Sequence, residues 1–212
     1  MLSTSGRGFA TAVFGPVARL LVRAGVSPDA VTVTGTVAVT AVALWLLPAG
    51  HFVVAPLVIA VLVLADSIDG QMARLTGRST PWGAFLDSTL DRVSDAAIFA
   101  GLVLWAVRAD DDVTVALALA CLVLGSLVPY ARARAESLGM SATGGIAERA
   151  DRLFVVLAAV LAVGLGLPAW VLTVALGLLA LASLWTVGQR MAAVYRQSRP
   201  GAAAGTRTGA GA

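Results

Sequence analysis

The sequence predicts an all-α integral membrane protein of about six transmembrane helices with an N-terminal amphipathic juxtamembrane helix. Two observations carry that prediction. Of 212 residues, 58% are hydrophobic and 13% charged, with a mean hydropathy of +0.89, whereas a soluble domain carries about 25% charged residues. The apolar residues also gather into runs near 31–48, 52–75, 82–107, 113–136, 151–167 and 169–195, most of them near the roughly 20 residues that cross a bilayer as a helix.

Taken in order, residues 1–26 place Phe9, Val13, Val17, Leu20 and Leu21 between Arg7, Arg19 and Arg23, the pattern of a helix lying on a membrane surface rather than of a cleavable leader. Residues 27–197 form the transmembrane domain. Its first run is interrupted by Thr32, Thr34, Thr36 and Thr40, and its fifth is short. Residues 198–212, rich in Gly, Ala, Thr and Arg, have nothing to bury and are expected to be disordered. Under this six-helix reading Arg7, Arg19, Arg23, Arg74, Arg78, Arg132, Arg134, Arg149, Arg152, Arg190, Arg196, Arg199 and Arg207 fall on one side. Arg108, beside Asp110, Asp111 and Asp112, falls on the other. The positive-inside rule then puts both termini toward the cytoplasm in a multi-pass protein of the cell membrane.

All 15 cationic side chains are arginine. A Schiff-base lysine is thereby excluded, and anions must be held by guanidinium groups, which suit phosphate bidentately. Cys121 stands alone in an apolar run and reads as a packing residue, so neither a disulfide nor a thiol mechanism is available. His51 falls in a short outer turn and is expected to be solvated.

Against this apolar background stand Asp66-Ser-Ile-Asp69-Gly70-Gln-Met-Ala73-Arg74 and, eight residues on, Gly83-Ala-Phe-Leu-Asp87-Ser-Thr-Leu-Asp91. Asp66, Asp69, Gly70 and Ala73 share one helical face, as do Gly83, Asp87 and Asp91. Two facing helices could aim four carboxylates at one point. At roughly 2.5–3.5 kcal/mol for each mid-membrane Asp, four would cost about 10 kcal/mol, so something cationic must offset them. The arginine topology lowers that cost by placing the cluster near the cytoplasmic surface. An all-carboxylate site without His or Cys selects hard divalent cations, and two Mg²⁺ ions, or Mn²⁺ as the alternative, would balance four charges. Such a pair holds a phosphoryl or pyrophosphate group by its oxygens. Gly70 and Gly83 would let a flat base or sugar approach the backbone; small residues at a helix interface explain them equally well. Arg74 could reach a phosphate. Thr80-Pro81 has the form of an N-cap with proline at the first helical position, and Thr80 could also touch a ligand.

The full pattern, D-x-x-D-G-x-x-A-R-x(8)-G-x-x-x-D-x-x-x-D, resembles the signature of the CDP-alcohol phosphatidyltransferases, with every fixed position occupied. The resemblance implies displacement of CMP from a CDP-linked alcohol by a hydroxyl acceptor. It also implies that Asp66, Asp69, Asp87 and Asp91 ligate the metals and that Asp91 takes the acceptor's proton. Gly70, Arg74, Thr80 and Gly83 would contact CDP-diacylglycerol, together with Asp29, Ala30, Val31 and Thr32, which resemble the family's P-[DN]-x-x-T segment. Asp95 extends the row of acids by one turn and is expected to support the site rather than to ligate.

A second cluster, Tyr130-Ala-Arg132-Ala-Arg134-Ala-Glu136, Gly144-Gly145 and Glu148-Arg149-Ala-Asp151-Arg152, sets four arginines at the cytoplasmic ends of two helices. A phosphorylated acceptor requires such a second basic pocket, because the metals already hold the CDP pyrophosphate. Arg132, Arg134, Arg149 and Arg152 are the candidates, with positive-inside topology and lipid headgroup binding as the plainer explanation. The region resembles the subgroup that makes phosphatidylinositol phosphate from inositol phosphate, with two departures: Arg132 where a lysine is expected and Ala150 where a proline is expected. Glycerol phosphate is the rival acceptor. A cation transporter would explain the acids but not the spaced glycines and Arg74. The expected partners are CDP-diacylglycerol, the acceptor and the lipid bilayer, with a homodimer compatible with the size and no nucleic acid.

Overall fold

The computed structural model describes residues 15–76, 80–146 and 148–199, apart from the side chains of Ser67, Asp69, Arg74 and Thr76. Residues 1–14 and 200–212, most of the surface helix and of the tail expected above, lie outside the described residues. The described residues contain seven helices and no strand: α1 (residues 15–23), α2 (Pro28–Leu46), α3 (Val54–Thr76), α4 (Pro81–Arg108), α5 (Asp112–Ser137), α6 (Arg149–Gly164) and α7 (Trp170–Gln197). The last six coincide with the six apolar runs to within a few residues at each end.

Local chemistry starts these helices. The Ser27 hydroxyl accepts from Ala30 N at 3.2 Å with Pro28 in the first turn of α2, and the Thr80 hydroxyl accepts from Gly83 N at 3.0 Å with Pro81 in the first turn of α4. Asp111 caps α5 by accepting from Thr114 N at 3.0 Å and from the Thr114 hydroxyl at 2.6 Å, bonds that hold its carboxyl below the usual carboxylate range. Having given its proton to Asp111, the Thr114 hydroxyl accepts from Thr173, 2.7 Å away, which pins α5 to α7.

The six long helices pack as a closed ring in which α2 touches α4, α4 touches α5, α5 touches α7, α7 touches α6, α6 touches α3, and α3 returns to α2. Ile59, Ile98, Phe99, Leu102, Cys121, Val156, Val160, Leu172 and Leu176 fill the middle of the ring. Cys121 is fully buried, its thiol donating to Leu176 O at 3.3 Å, as a packing residue should. Where α4 crosses α2, a Cβ on Gly101 would lie 2.5 Å from the carbonyl oxygen of Ala43, so only glycine permits that approach. Helix α1 packs Ala18, Leu21 and Val22 against Ile68 and Met72 of α3, which ties the N-terminal segment to the acidic end of the bundle.

Four helices (α2, α3, α5 and α7) are long and apolar enough to cross a membrane. Two of the six expected spans do not meet that standard. Helix α6 has 16 residues, about 24 Å at 1.5 Å per residue, short of a hydrocarbon core of roughly 30 Å. Helix α4 has 28 residues, but its first fifteen carry Asp87, Asp91, Arg92 and Asp95. Large apolar side chains such as Trp45, Val61, Leu64, Val123, Leu178 and Leu181 face outward, the surface of a protein whose solvent is lipid.

Candidate active site

At one end of the ring, acidic side chains from the second half of α3 and the first half of α4 converge. Carboxylate oxygens of Asp66, Asp87 and Asp91 lie within 4.8 Å of one another, Asp87 exposed and the other two half-buried. The helical period produces this convergence: Asp87 and Asp91 are one turn apart on α4, and Thr80 and Pro81 fix where that turn begins. The backbones of Asp69 and Arg74 lie on α3, while their side chains are outside the described residues. On α2, Gly35 faces the group, a Cβ there falling 3.8 Å from Asp66 Oδ1. Gly70 is half-buried within α3.

The segment at the start of α2 meets the start of α4. Asp29 Oδ2 accepts from Trp82 Nε1 at 3.1 Å, and a Cβ on Gly83 would come within 3.4 Å of Thr80 Oγ1 and 3.9 Å of Asp29 Oδ1. Asp29, Thr80 and Gly83 therefore lie together, with Gly83 one turn before Asp87 on α4. Ala30 is exposed, Val31 packs against the Ala18, Ile68 and Met72 cluster, and Thr32 is buried with its hydroxyl donating to Pro28 O at 3.2 Å.

Beside the acids lies a cavity of about 200 Å³, open to solvent and lined by Arg92, Val128, Pro129, Arg132, Glu148, Arg149, Arg152 and Arg190. Arg149 joins the two regions. Its Nη1 donates to Asp91 Oδ1 at 2.8 Å and its Nε to Asp95 Oδ1 at 3.0 Å. Arg152, with 2% of its side chain exposed, donates from Nη2 to Asp95 Oδ2 at 3.2 Å. A buried guanidinium demands such a partner, and Gly125 makes room for it, a Cβ there falling 3.3 Å from Arg152 Nε. Arg92 adds a looser contact to Asp91 at 3.7 Å.

Of the four arginines expected to hold an acceptor, the fold brings three to this cavity: Arg132, Arg149 and Arg152. Arg134 sits on the exposed last turn of α5 with Nη1 donating to Ser137 Oγ at 3.4 Å and does not line it. Arg92 and Arg190 do line it and escaped sequence reasoning. Arg190 is 5% exposed and donates to the carbonyls of Val128 and Gly144, at 3.2 Å for the latter. The bond to Val128 ties α7 to α5, and the bond to Gly144 fastens the loop between α5 and α6 to α7. The signal that could have revealed Arg190 is its place inside an apolar helix, where an arginine must be paired or functional. Gly145 completes the loop with φ +126° and its Cα packed on Thr186, where a side chain would fit neither the backbone nor the space.

Residues 25–147 match the CDP-alcohol phosphatidyltransferase family. The chain belongs to that family. Among curated CDP-alcohol phosphatidyltransferases it is 46% identical over 205 residues to phosphatidylinositol phosphate synthase of Streptomyces avermitilis, covering 93% of this chain and 84% of that one. Its identity to the enzyme of the same name from Cutibacterium acnes is 46% over 192 residues, covering 87% and 93%. Two crystal structures of phosphatidylinositol phosphate synthase of Mycobacterium tuberculosis share the fold at 41% identity. One, with CDP-DAG bound, has a TM-score of 0.84 and covers 90% of this chain and 96% of that one. The other, in complex with manganese and citrate, has a TM-score of 0.82 and covers 89% and 91%.

Proposed function

We propose that this CDP-alcohol phosphatidyltransferase transfers the phosphatidyl group of CDP-diacylglycerol to a hydroxyl of inositol phosphate, giving phosphatidylinositol phosphate and CMP. The observation that carries the reading is the adjacency of two half-sites of opposite charge, the Asp66, Asp87 and Asp91 group and the arginine-lined cavity, bridged by Arg149. A neutral acceptor would not need the second half.

Three converging carboxylates with oxygen donors only fit a hard divalent cation. Asp66, Asp87 and Asp91, with Asp69 as the fourth carboxylate of the motif, would hold two such ions, Mg²⁺ being the first candidate. When bound, the ions neutralise the pyrophosphate and the departing phosphate. The protein does the rest. The rim of Asp29, Thr80 and Gly83, with Gly70 and Arg74 on α3, receives the cytidine diphosphate. Arg132, Arg149, Arg152 and Arg190 hold the acceptor phosphate and turn its hydroxyl toward the phosphorus. Asp91 takes the hydroxyl proton as the new O–P bond forms and the bond to CMP breaks. Favoured over glycerol phosphate, inositol phosphate also suits the names of the relatives, which are phosphatidylinositol phosphate synthases. We place the acidic end at the cytoplasmic face of the cell membrane with all six long helices embedded, α6 and the charged half of α4 shielded by the other four, and α1 along the surface.

The test is CMP release from CDP-diacylglycerol with inositol phosphate, glycerol phosphate, inositol and serine. Release with inositol phosphate, abolished by EDTA and restored by Mg²⁺ or Mn²⁺, is expected. No CMP with any acceptor would sink the enzyme reading, and release with inositol alone would sink the phosphate pocket.

A further inference from the structure

Asp91 and Arg92 are neighbours in sequence, and one residue turns an α-helix by about 100°. Asp91 thus joins the converging carboxylates while Arg92 lines the basic cavity beside them, which sets Arg92 on the seam between the two halves of the site. The other four cavity arginines are anchored within the protein. Arg132 donates to Glu136, Arg149 to Asp91 and Asp95, Arg152 to Asp95, and Arg190 to two backbone carbonyls. Arg92 instead stands 3.7 Å from Asp91 Oδ2 through Nη2, beyond hydrogen-bond length. Its Nε is shut off from solvent and has no hydrogen-bond partner among the described residues. With 29% of its side chain exposed, Arg92 can turn toward the cavity without breaking a hydrogen bond. A buried donor left unpaired costs stability, a cost typical of groups kept for a ligand.

Reading the cavity as the acceptor-phosphate pocket, we propose that Arg92 is a further binding residue for that phosphate: the one cavity arginine, among the described residues, that turns onto the anion as it arrives. The phosphate then supplies the hydrogen bonds that the fold does not, at the edge of the cavity nearest Asp91. A guanidinium does this with a planar fork, which an ammonium lacks.

Arg92→Met keeps the stem and removes every donor. With CDP-diacylglycerol, inositol phosphate and Mg²⁺, its acceptor KM should rise about tenfold or more, the scale of a charged hydrogen bond. Its KM for CDP-diacylglycerol should stay within about twofold. An unchanged acceptor KM with a lowered kcat would mean that Arg92 acts only on Asp91, and two KM values rising in parallel would assign it to the pyrophosphate; either overturns the proposal. Arg92→Lys keeps the charge without the fork and should leave the acceptor KM several-fold raised, whereas full recovery would reduce Arg92 to general field and overturn the contact. Thermal melting in detergent with EDTA, at constant ionic strength, needs no turnover. There Arg92→Met should melt no lower than the unsubstituted protein, because an unpaired donor is gone, and a Tm lower by several degrees would show that the fold already uses it and overturn the proposal. Inorganic phosphate should raise the Tm of the unsubstituted protein and raise that of Arg92→Met much less. No rise in the unsubstituted protein would remove the pocket reading together with the proposal, and equal rises in both would remove only the role of Arg92.

Discussion

Asp91 converges with Asp66 and Asp87 on one side and is bridged by Arg149 on the other, so substitution there should separate binding from turnover. Asp91→Asn keeps the volume but cannot take a proton. Turnover is expected to fall about 10²–10⁴-fold, while CDP-diacylglycerol binding, read by equilibrium dialysis, is largely kept. Unchanged turnover would remove Asp91 as the base. Arg132 and Arg134 offer a sharper contrast. Both stand in the same basic segment, but only Arg132 lines the cavity, its Nε at 2.9 Å from Glu136 Oε1. Arg132→Ala should raise the acceptor KM several-fold and Arg134→Ala should not, and equal effects would reassign both to general electrostatics. The acids were legible in the sequence because they repeat with the period of a helix, which fixes their common face before any fold is known. The partnership of Asp95 with Arg149 and Arg152 was not, because it spans 54 and 57 residues and two helices. Arg190 reaches 62 residues back to Val128 O, a pairing that no local spacing encodes.

Helix starts were readable for a similar reason. Ser27-Pro28 and Thr80-Pro81 carry their caps within four residues, and both caps form. The crossing of α2 and α4 was not readable, since nothing near Gly101 in sequence names Ala43 as its neighbour. That crossing sets the separation of the helices that carry Asp29 and Gly35 on one side and Thr80, Gly83, Asp87 and Asp91 on the other. Gly101→Ala should cost about 1–3 kcal/mol by overpacking, seen as a lowered Tm by tryptophan fluorescence in detergent. Because the same two helices frame the rim proposed to receive the cytidine diphosphate, the variant should also raise the KM for CDP-diacylglycerol more than that for the acceptor. An unchanged Tm would mean that α2 and α4 part without cost.

For the whole molecule, hydropathy located six helices but could not say how they close. The ring puts α4 between α2 and α5 and α6 between α3 and α7, so the two helices least fit to face lipid each have a neighbour on both sides. The orientation proposed above rests on arginine placement. Cys121 is buried, so a single cysteine added at Ser141 or Ser198 should be labelled by an impermeant maleimide only from the cytoplasmic side of sealed vesicles, and one at His51 only from the other side. Labelling of all three from one side would refute the topology. The account stands most directly on which acceptor the paired half-sites select. Purified enzyme given CDP-diacylglycerol, Mg²⁺ and equimolar inositol phosphate and glycerol phosphate, with lipid products identified by mass spectrometry, should yield mainly phosphatidylinositol phosphate with one CMP per lipid formed. Predominant phosphatidylglycerol phosphate, or no phospholipid product, would contradict it.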